Sequence, residues 1–316
     1  MRIPLLKNKG VKILKRALTF TVLTLALSYA FAAFLYFGVH LRWNTLLAQF
    51  AGMAYMFIPT LVVVGLQRFA YREPVVSTMG ICWRPNKWWV AAWLFPPALA
   101  FAALGVSLLL PGVTYDPSLS GMFQRYQHVF PPETVAEMQR QMEAMPLHPL
   151  WIALVQGLIA GATINAVFAF GEELGWRGFL LRETAGLGFW RANLLIGFIW
   201  GVWHAPLILQ GHNYPQHPVA GVFMMIIWCL LLSPLFGFLR LAGKSVLAAA
   251  LVHGALNGTA ALAIMVIAGG SDLTVGVTGL AGFVALAAAN VGLWAYERFR
   301  ERGFLDRLLE QAARPC

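Results

Sequence analysis

The sequence predicts an all-α, polytopic membrane protein of about eight transmembrane helices, and three observations carry that expectation. Of 316 residues, 59% are hydrophobic and only 11% are charged, whereas soluble domains run near a quarter charged and under half apolar. The apolar residues come in runs of the ~20 needed to cross a hydrocarbon core as a helix. Lys and Arg sit between these runs rather than along one face. Together these features exclude intrinsic disorder, a coiled coil and a secreted disulfide scaffold.

Taken in order, the runs cover 17–39, 46–66, 88–110, 151–171, 190–210, 218–239, 245–268 and 274–296. Open sheets would leave backbone groups unpaired in lipid, so each run reads as a helix. The first follows a basic stretch ending at Arg16 but continues through Phe31–Val39, too long for a typical signal peptide. Three spans and the segment 111–149 form an N-terminal region, 1–150. Five further spans form a core, 151–296, followed by a basic tail, 297–316. Segment 111–149 carries Asp116, Glu133, Glu137, Glu143 and the pair Pro131–Pro132. It reads as an extracytoplasmic loop with a short amphipathic helix near 132–145.

Sidedness follows from the positive-inside rule. With both termini in the cytoplasm, all of the 23 lysines and arginines except Arg42, Arg125 and Arg140 fall on the inner side. That distribution accounts for the net charge of +10 without nucleic acid, which requires a clustered basic face. The expected location is an integral position in a bacterial inner (plasma) membrane, with membrane lipid as a partner. Cys82, Cys229 and Cys316 are scattered without metal-type spacing and read as unpaired thiols. His212 and His217 share a short outer turn without a carboxylate or cysteine, which argues against a metal site there.

Ionisable groups inside a membrane are costly and therefore point to function. Among the 13 acids, Glu172 and Glu173 directly follow the apolar run Ala166–Phe170; among the 7 histidines, His204 and His253 lie deep inside spans. Residues four apart share a helix face. Glu173 can thus meet Arg177, His253 meets Asn257, and Trp200 meets His204. Glu172 points about 100° away from Glu173, free for another role. At 1.5 Å per residue, Glu172 and His253 come ~15 and ~14 Å from the inner face and His204 ~20 Å, so three helices can converge below that surface.

At these residues the sequence resembles a family. Glu172-Glu173-Leu174-Gly175-Trp176-Arg177 resembles the E-E-x-x-x-R signature of the CAAX-protease and bacteriocin-processing (CPBP, or Abi) membrane peptidases, which include the type II CAAX prenyl endopeptidases. Trp200-Gly201-Val202-Trp203-His204 resembles their F-x-x-x-H, with Trp in place of Phe, and His253-Gly254-Ala255-Leu256-Asn257 matches H-x-x-x-N. The three signatures fall within about 145–265. The resemblance implies an intramembrane endopeptidase acting on a membrane-associated or lipidated peptide or protein; eukaryotic relatives remove three C-terminal residues from isoprenylated CAAX proteins. It also implies that Glu172 and His204 position and activate water, that His253 and Asn257 stabilise the oxyanion, and that Glu173, Arg177 and Trp200 support them.

Hydrolysis with no cofactor is the preferred reading, because Asn257 suits an oxyanion donor and no H-E-x-x-H helix is present. Zinc held by Glu172, His204 and His253 is the alternative. A non-catalytic scaffold, or an immunity or sensor-modulating protein on the same fold, is the competing function, since fold does not fix function. A proton-carrying transporter is disfavoured by the absence of visible inverted repeats.

Overall fold

The computed structural model describes residues 4–41, 46–126 and 132–312. Arg42, Pro131, Arg314 and Cys316 lie outside them. The fold is all-α. Helices long and apolar enough to span a membrane are α1 (Lys15–Gly38, within a helix that begins at Pro4), α2 (Phe50–Tyr71) and α3 (Lys87–Ser107). The segment between 111 and 149 holds α4 (Ser120–Tyr126) and α5 (Pro132–Glu143), the second at the expected amphipathic stretch. Then come α6 (Pro149–Ala162) and α7 (Ile164–Glu183), a bent pair. The chain continues through α8 (Phe189–Trp203), α9 (Pro218–Ala242), α10 (Val246–Met265), α11 (Leu280–Arg300) and the short amphipathic α12 (Phe304–Ala312).

The span count differs from the expected eight. Six helices meet the length and apolarity requirement among the described residues, or seven with the bent pair taken as one. The shortfall comes from 190–210, where α8 has only 15 residues, ~22 Å against a ~30 Å hydrocarbon core. Pro206 follows at the start of a separate one-turn helix, Ala205–Ile208, and a proline cannot extend the hydrogen-bond ladder behind it. The fourth span is interrupted too. Thr163 leaves helical geometry (φ −121°, ψ −100°) and the axis turns by 51° between α6 and α7.

Local sequence sets several helix starts. Asn86 accepts a bond from the Trp88 amide at the head of α3, and Ser245 accepts from the Leu247 amide at the head of α10; both satisfy first-turn donors that the helix itself leaves open. Helix α10 packs against α6 and α7 through glycines. A Cβ on Gly161 would come within 2.6 Å of the Ala255 Cα, and one on Gly254 within 2.6 Å of the Ala166 amide nitrogen. Gly157 and Gly258 face each other in the same way. Small residues allow such backbone approach where lipid gives no hydrophobic drive between helices. Bulky side chains such as Leu61, Phe69, Phe223 and Val291 face outward instead.

Polar contacts tie loops and tail together at the two ends of the bundle. At one end Arg16 and Arg182 share Glu73 at 2.8 and 3.1 Å, and Trp89 Nε1 donates to the Gly243 carbonyl. There the tail closes against α8: the Phe189 amide donates to Asp306 and Trp190 Nε1 to Glu297. At the other end β1 (Thr114–Tyr115) pairs antiparallel with β2 (Ile267–Ala268), and Arg125 bonds the Gly269 carbonyl. His217 Nδ1 lies 2.6 Å from an Asp272 oxygen. A carboxylate therefore accompanies this outer histidine, contrary to the sequence expectation, and the pair ties two loops together. The cysteines also differ from expectation: Cys229 is a free buried thiol, but Cys82 is disulfide-bonded.

The glycine crossing predicts that Gly258→Val forces α6 and α10 apart. Overpacking of this kind costs about 1–3 kcal/mol, read as a lower unfolding midpoint in detergent, and an unchanged midpoint would contradict the crossing. In the segment 111–149 Ser118, then the Gly121 amide and Ser120, hydrogen-bond Asp116 and lower its carboxyl from 3.8 to about 2. A lowered folded value makes this support complete above pH ~4 and lost as pH falls through ~2. An NMR titration of Asp116 should show the low midpoint; an ordinary one would contradict the cluster.

Candidate active site

The E-E-x-x-x-R run straddles a change of helix type. Residues Ile164–Glu173 are α-helical and Leu174–Leu180 form a π-helical turn, followed by Leu181–Glu183. Such widened turns recur at functional sites, where they redirect side chains. Here the two carboxylates, neighbours in sequence, enter different environments. Both are buried, as are Arg177, His204 and His253.

Glu172 is held by tryptophans. Its Oε2 accepts from Trp200 Nε1 at 2.7 Å and from Trp176 Nε1 at 3.4 Å. Trp200 belongs to α8, so the first bond links α7 to α8; Trp176 lies four residues along the same helix as Glu172. The sequence reading missed Trp176, although the i,i+4 spacing was available to signal it. Trp200 also meets the other candidates. Its carbonyl lies 2.8 Å from His204 Nδ1, and its ring centroid lies 5.6 Å from that of His204 and 5.5 Å from that of His253. One indole thus touches all three ionisable groups drawn from α7, the end of α8, and α10.

Glu173 makes a separate buried cluster. Its Oε1 receives Arg177 Nη1 at 2.9 Å, the expected i,i+4 pair, and His253 Nδ1 at 2.8 Å. The second contact, across to α10, was not foreseen. Oε2 of Glu173 and both Nε and Nη2 of Arg177 are buried without a hydrogen-bond partner. Part of that deficit is offset by aromatic faces: the guanidinium carbon lies 4.5 Å from the Trp200 ring centre and 5.1 Å from that of Phe236.

Hydrogen-bond partners fix one imidazole. A carbonyl oxygen only accepts, so His204 Nδ1 carries the hydrogen it shares with Trp200, and Nε2 of the neutral ring is an acceptor. His253 Nδ1 donates to a carboxylate, which leaves Nε2 for a ligand. Asn257 stands one turn beyond His253 and is exposed; the structure does not draw it into the Trp200 cluster. Cys229 Sγ lies 4.0 Å from His204 Nδ1, a buried neighbour that no motif indicated.

The geometry also bears on zinc. Glu172 Oε2 is engaged by two indoles, and each histidine commits Nδ1 to a protein oxygen. Among the described residues no three His, Cys, Asp or Glu side chains are grouped to hold a metal ion. These bonds leave Glu172 Oε1 and Nε2 of both histidines without a hydrogen-bonding role among the contacts described above.

Removing one partner of a buried ion pair leaves an uncompensated charge, at about 3–5 kcal/mol. Arg177→Ala should therefore sharply lower the thermal unfolding midpoint and the yield of folded protein in detergent. A midpoint near wild type would show that Glu173 does not depend on the guanidinium.

Residues 146–259 match the family model described as type II CAAX prenyl endopeptidase Rce1-like. A protein named CAAX prenyl protease 2 from Methanococcus maripaludis is 34% identical over 58 residues, which cover 18% of this chain and 20% of that relative. The chain therefore spans about a fifth of the length of the curated relative in that match. All three signatures fall inside 146–259, so the part of this integral membrane protein that carries the buried carboxylates and histidines is the part similar to the type II CAAX prenyl endopeptidases.

Proposed function

We propose that this protein is an intramembrane endopeptidase that hydrolyses a peptide bond of a membrane-associated or lipidated protein, using a water activated by Glu172 and His204. The observation that carries the reading is the convergence on Trp200, whose indole N–H binds Glu172 while its ring and carbonyl hold His204 and its ring abuts His253. Peptide hydrolysis requires a base for water, donors aimed at the developing oxyanion and a proton for the departing amine.

The hydrogen bonds divide these tasks. Glu172 keeps Oε1 for a water, because Oε2 is taken by the two indoles. His204 presents an accepting Nε2, suited to orienting that water while Glu172 takes its proton. His253, backed by Glu173 at Nδ1, presents Nε2–H to an oxyanion when its ring is protonated. Asn257 supplies the second donor, its exposed amide turning toward bound substrate. Glu173 and Arg177 position His253 rather than touch the substrate. The proton taken from water passes to the leaving amine through Glu172. This reading routes no step through a metal; zinc held by Glu172, His204 and His253 is the alternative that the chelator arm below distinguishes.

The substrate is a membrane-associated peptide or protein, met from the end of the bundle where the basic segments gather. That end is assigned to the cytoplasm, with both termini there, by the positive-inside rule. A non-catalytic scaffold is the competing reading. The decisive assay incubates detergent-purified protein with prenylated and unprenylated C-terminal peptides, with and without chelator. Glu172→Ala should reduce cleavage by about 10²–10⁴-fold, the usual contribution of a general base, while chelator leaves it unchanged. No cleavage of any peptide would favour the scaffold, and equal cleavage by wild type and variant would remove Glu172 as the base.

A further inference from the structure

Away from the carboxylates, a cavity of about 500 Å³ opens between the start of α8 and the end of α11, within the size range of small-molecule sites. Its walls include Trp190, Asn290, Trp294, Glu297, Arg298 and Arg302. We propose that this cavity binds the headgroup of an anionic phospholipid.

Position, polarity and charge support this occupant. The cavity lies at the end of the bundle where the Arg16–Glu73–Arg182 network sits and where the tail folds against α8. One rim belongs to a spanning helix and the other to charged chain beyond it, the depth at which Trp side chains and lipid headgroups meet. The neutral and acidic groups of the wall hydrogen-bond within the protein. Glu297 accepts from Trp190 Nε1 at 3.0 Å, and Asn290 Nδ2 donates to the carbonyls of Leu231 and Leu286 at 2.7 and 2.8 Å.

The two arginines have no acidic partner among the described residues. Arg298 lies over the Trp294 ring at 5.1 Å, which holds its guanidinium on the cavity side, and Arg302 offers its exposed side chain from just beyond the helix. Two guanidinium forks match a phosphodiester, which accepts paired N–H bonds. Exposed Val291 and Trp294 continue the wall up α11, an apolar track for the acyl chain. A soluble anion would leave that track uncovered. The site rests on this cavity alone and does not depend on the proposed hydrolysis.

The test uses full-length protein stripped of lipid by extensive detergent exchange. Thermal unfolding is followed on adding phosphatidylglycerol, phosphatidylcholine or glycerol 3-phosphate, for wild type, the double variant Arg298→Ala/Arg302→Ala, and the control Arg84→Ala. We expect phosphatidylglycerol to raise the midpoint of wild type and control, with half-saturation at least tenfold weaker in the double variant. Native mass spectrometry should show one retained phosphatidylglycerol on wild type and loss of that adduct in the double variant. Equal shifts in wild type and double variant, or equal shifts with phosphatidylcholine, would overturn the proposal. An equal shift with glycerol 3-phosphate would overturn the assignment to a lipid.

Discussion

A carboxylate cannot stay buried among apolar helices unless other groups supply the hydrogen bonds that water would have made, and the core of this molecule is organised around that constraint. Glu172 meets it with two indole N–H groups, and Glu173 with a guanidinium and an imidazole. Trp200 is common to both arrangements, donating to Glu172 at its edge and receiving Arg177 on its face. Helices α7, α8, α9 and α10 are thereby held at one depth, because each contributes a group to the same ring system. Phe236 from α9 closes it, touching Arg177 and His253.

The remaining spans brace this assembly. Tyr55 of α2 donates to the Trp203 carbonyl at 2.7 Å, and Trp203 Nε1 donates to Ser28 of α1 at 2.7 Å. These bonds fall one residue before His204, where the short α8 ends. The truncated helix and its neighbours fit together: α8 ends at its histidine, and two full spans hydrogen-bond to the residue before it. Charged networks at one end and the paired strands at the other then tie the helices together.

Much of this was legible in the sequence. The spans, the outer amphipathic helix and the Glu173–Arg177 pair follow from apolar length and i,i+4 spacing, which are local properties. Trp200 with His204 was legible for the same reason. The Glu173–His253 contact was not, because it joins residues 80 apart in the chain and depends on how α7 and α10 cross. The span count failed where a proline and a histidine end α8 early, since an apolar run records composition and not where a ladder breaks. Asp272 beside His217 escaped notice because its loop lies 55 residues away.

The π-helical turn in α7 has a consequence for how the chain can change length. A widened turn accommodates one more residue than an α-helix over the same rise, so the segments on either side are keyed independently: Glu172 above to the indoles, Arg182 and Glu183 below to Arg16 and Glu73. Deleting a single residue between 174 and 180 would let the turn return to ordinary winding with both keyed halves still in phase, whereas inserting one would rotate one half by about 100° against the other. Conversely, loops at either end can lengthen or shorten without disturbing that phase. The molecule therefore tolerates length changes at its rims, and at its centre the loss of one residue but not the gain of one.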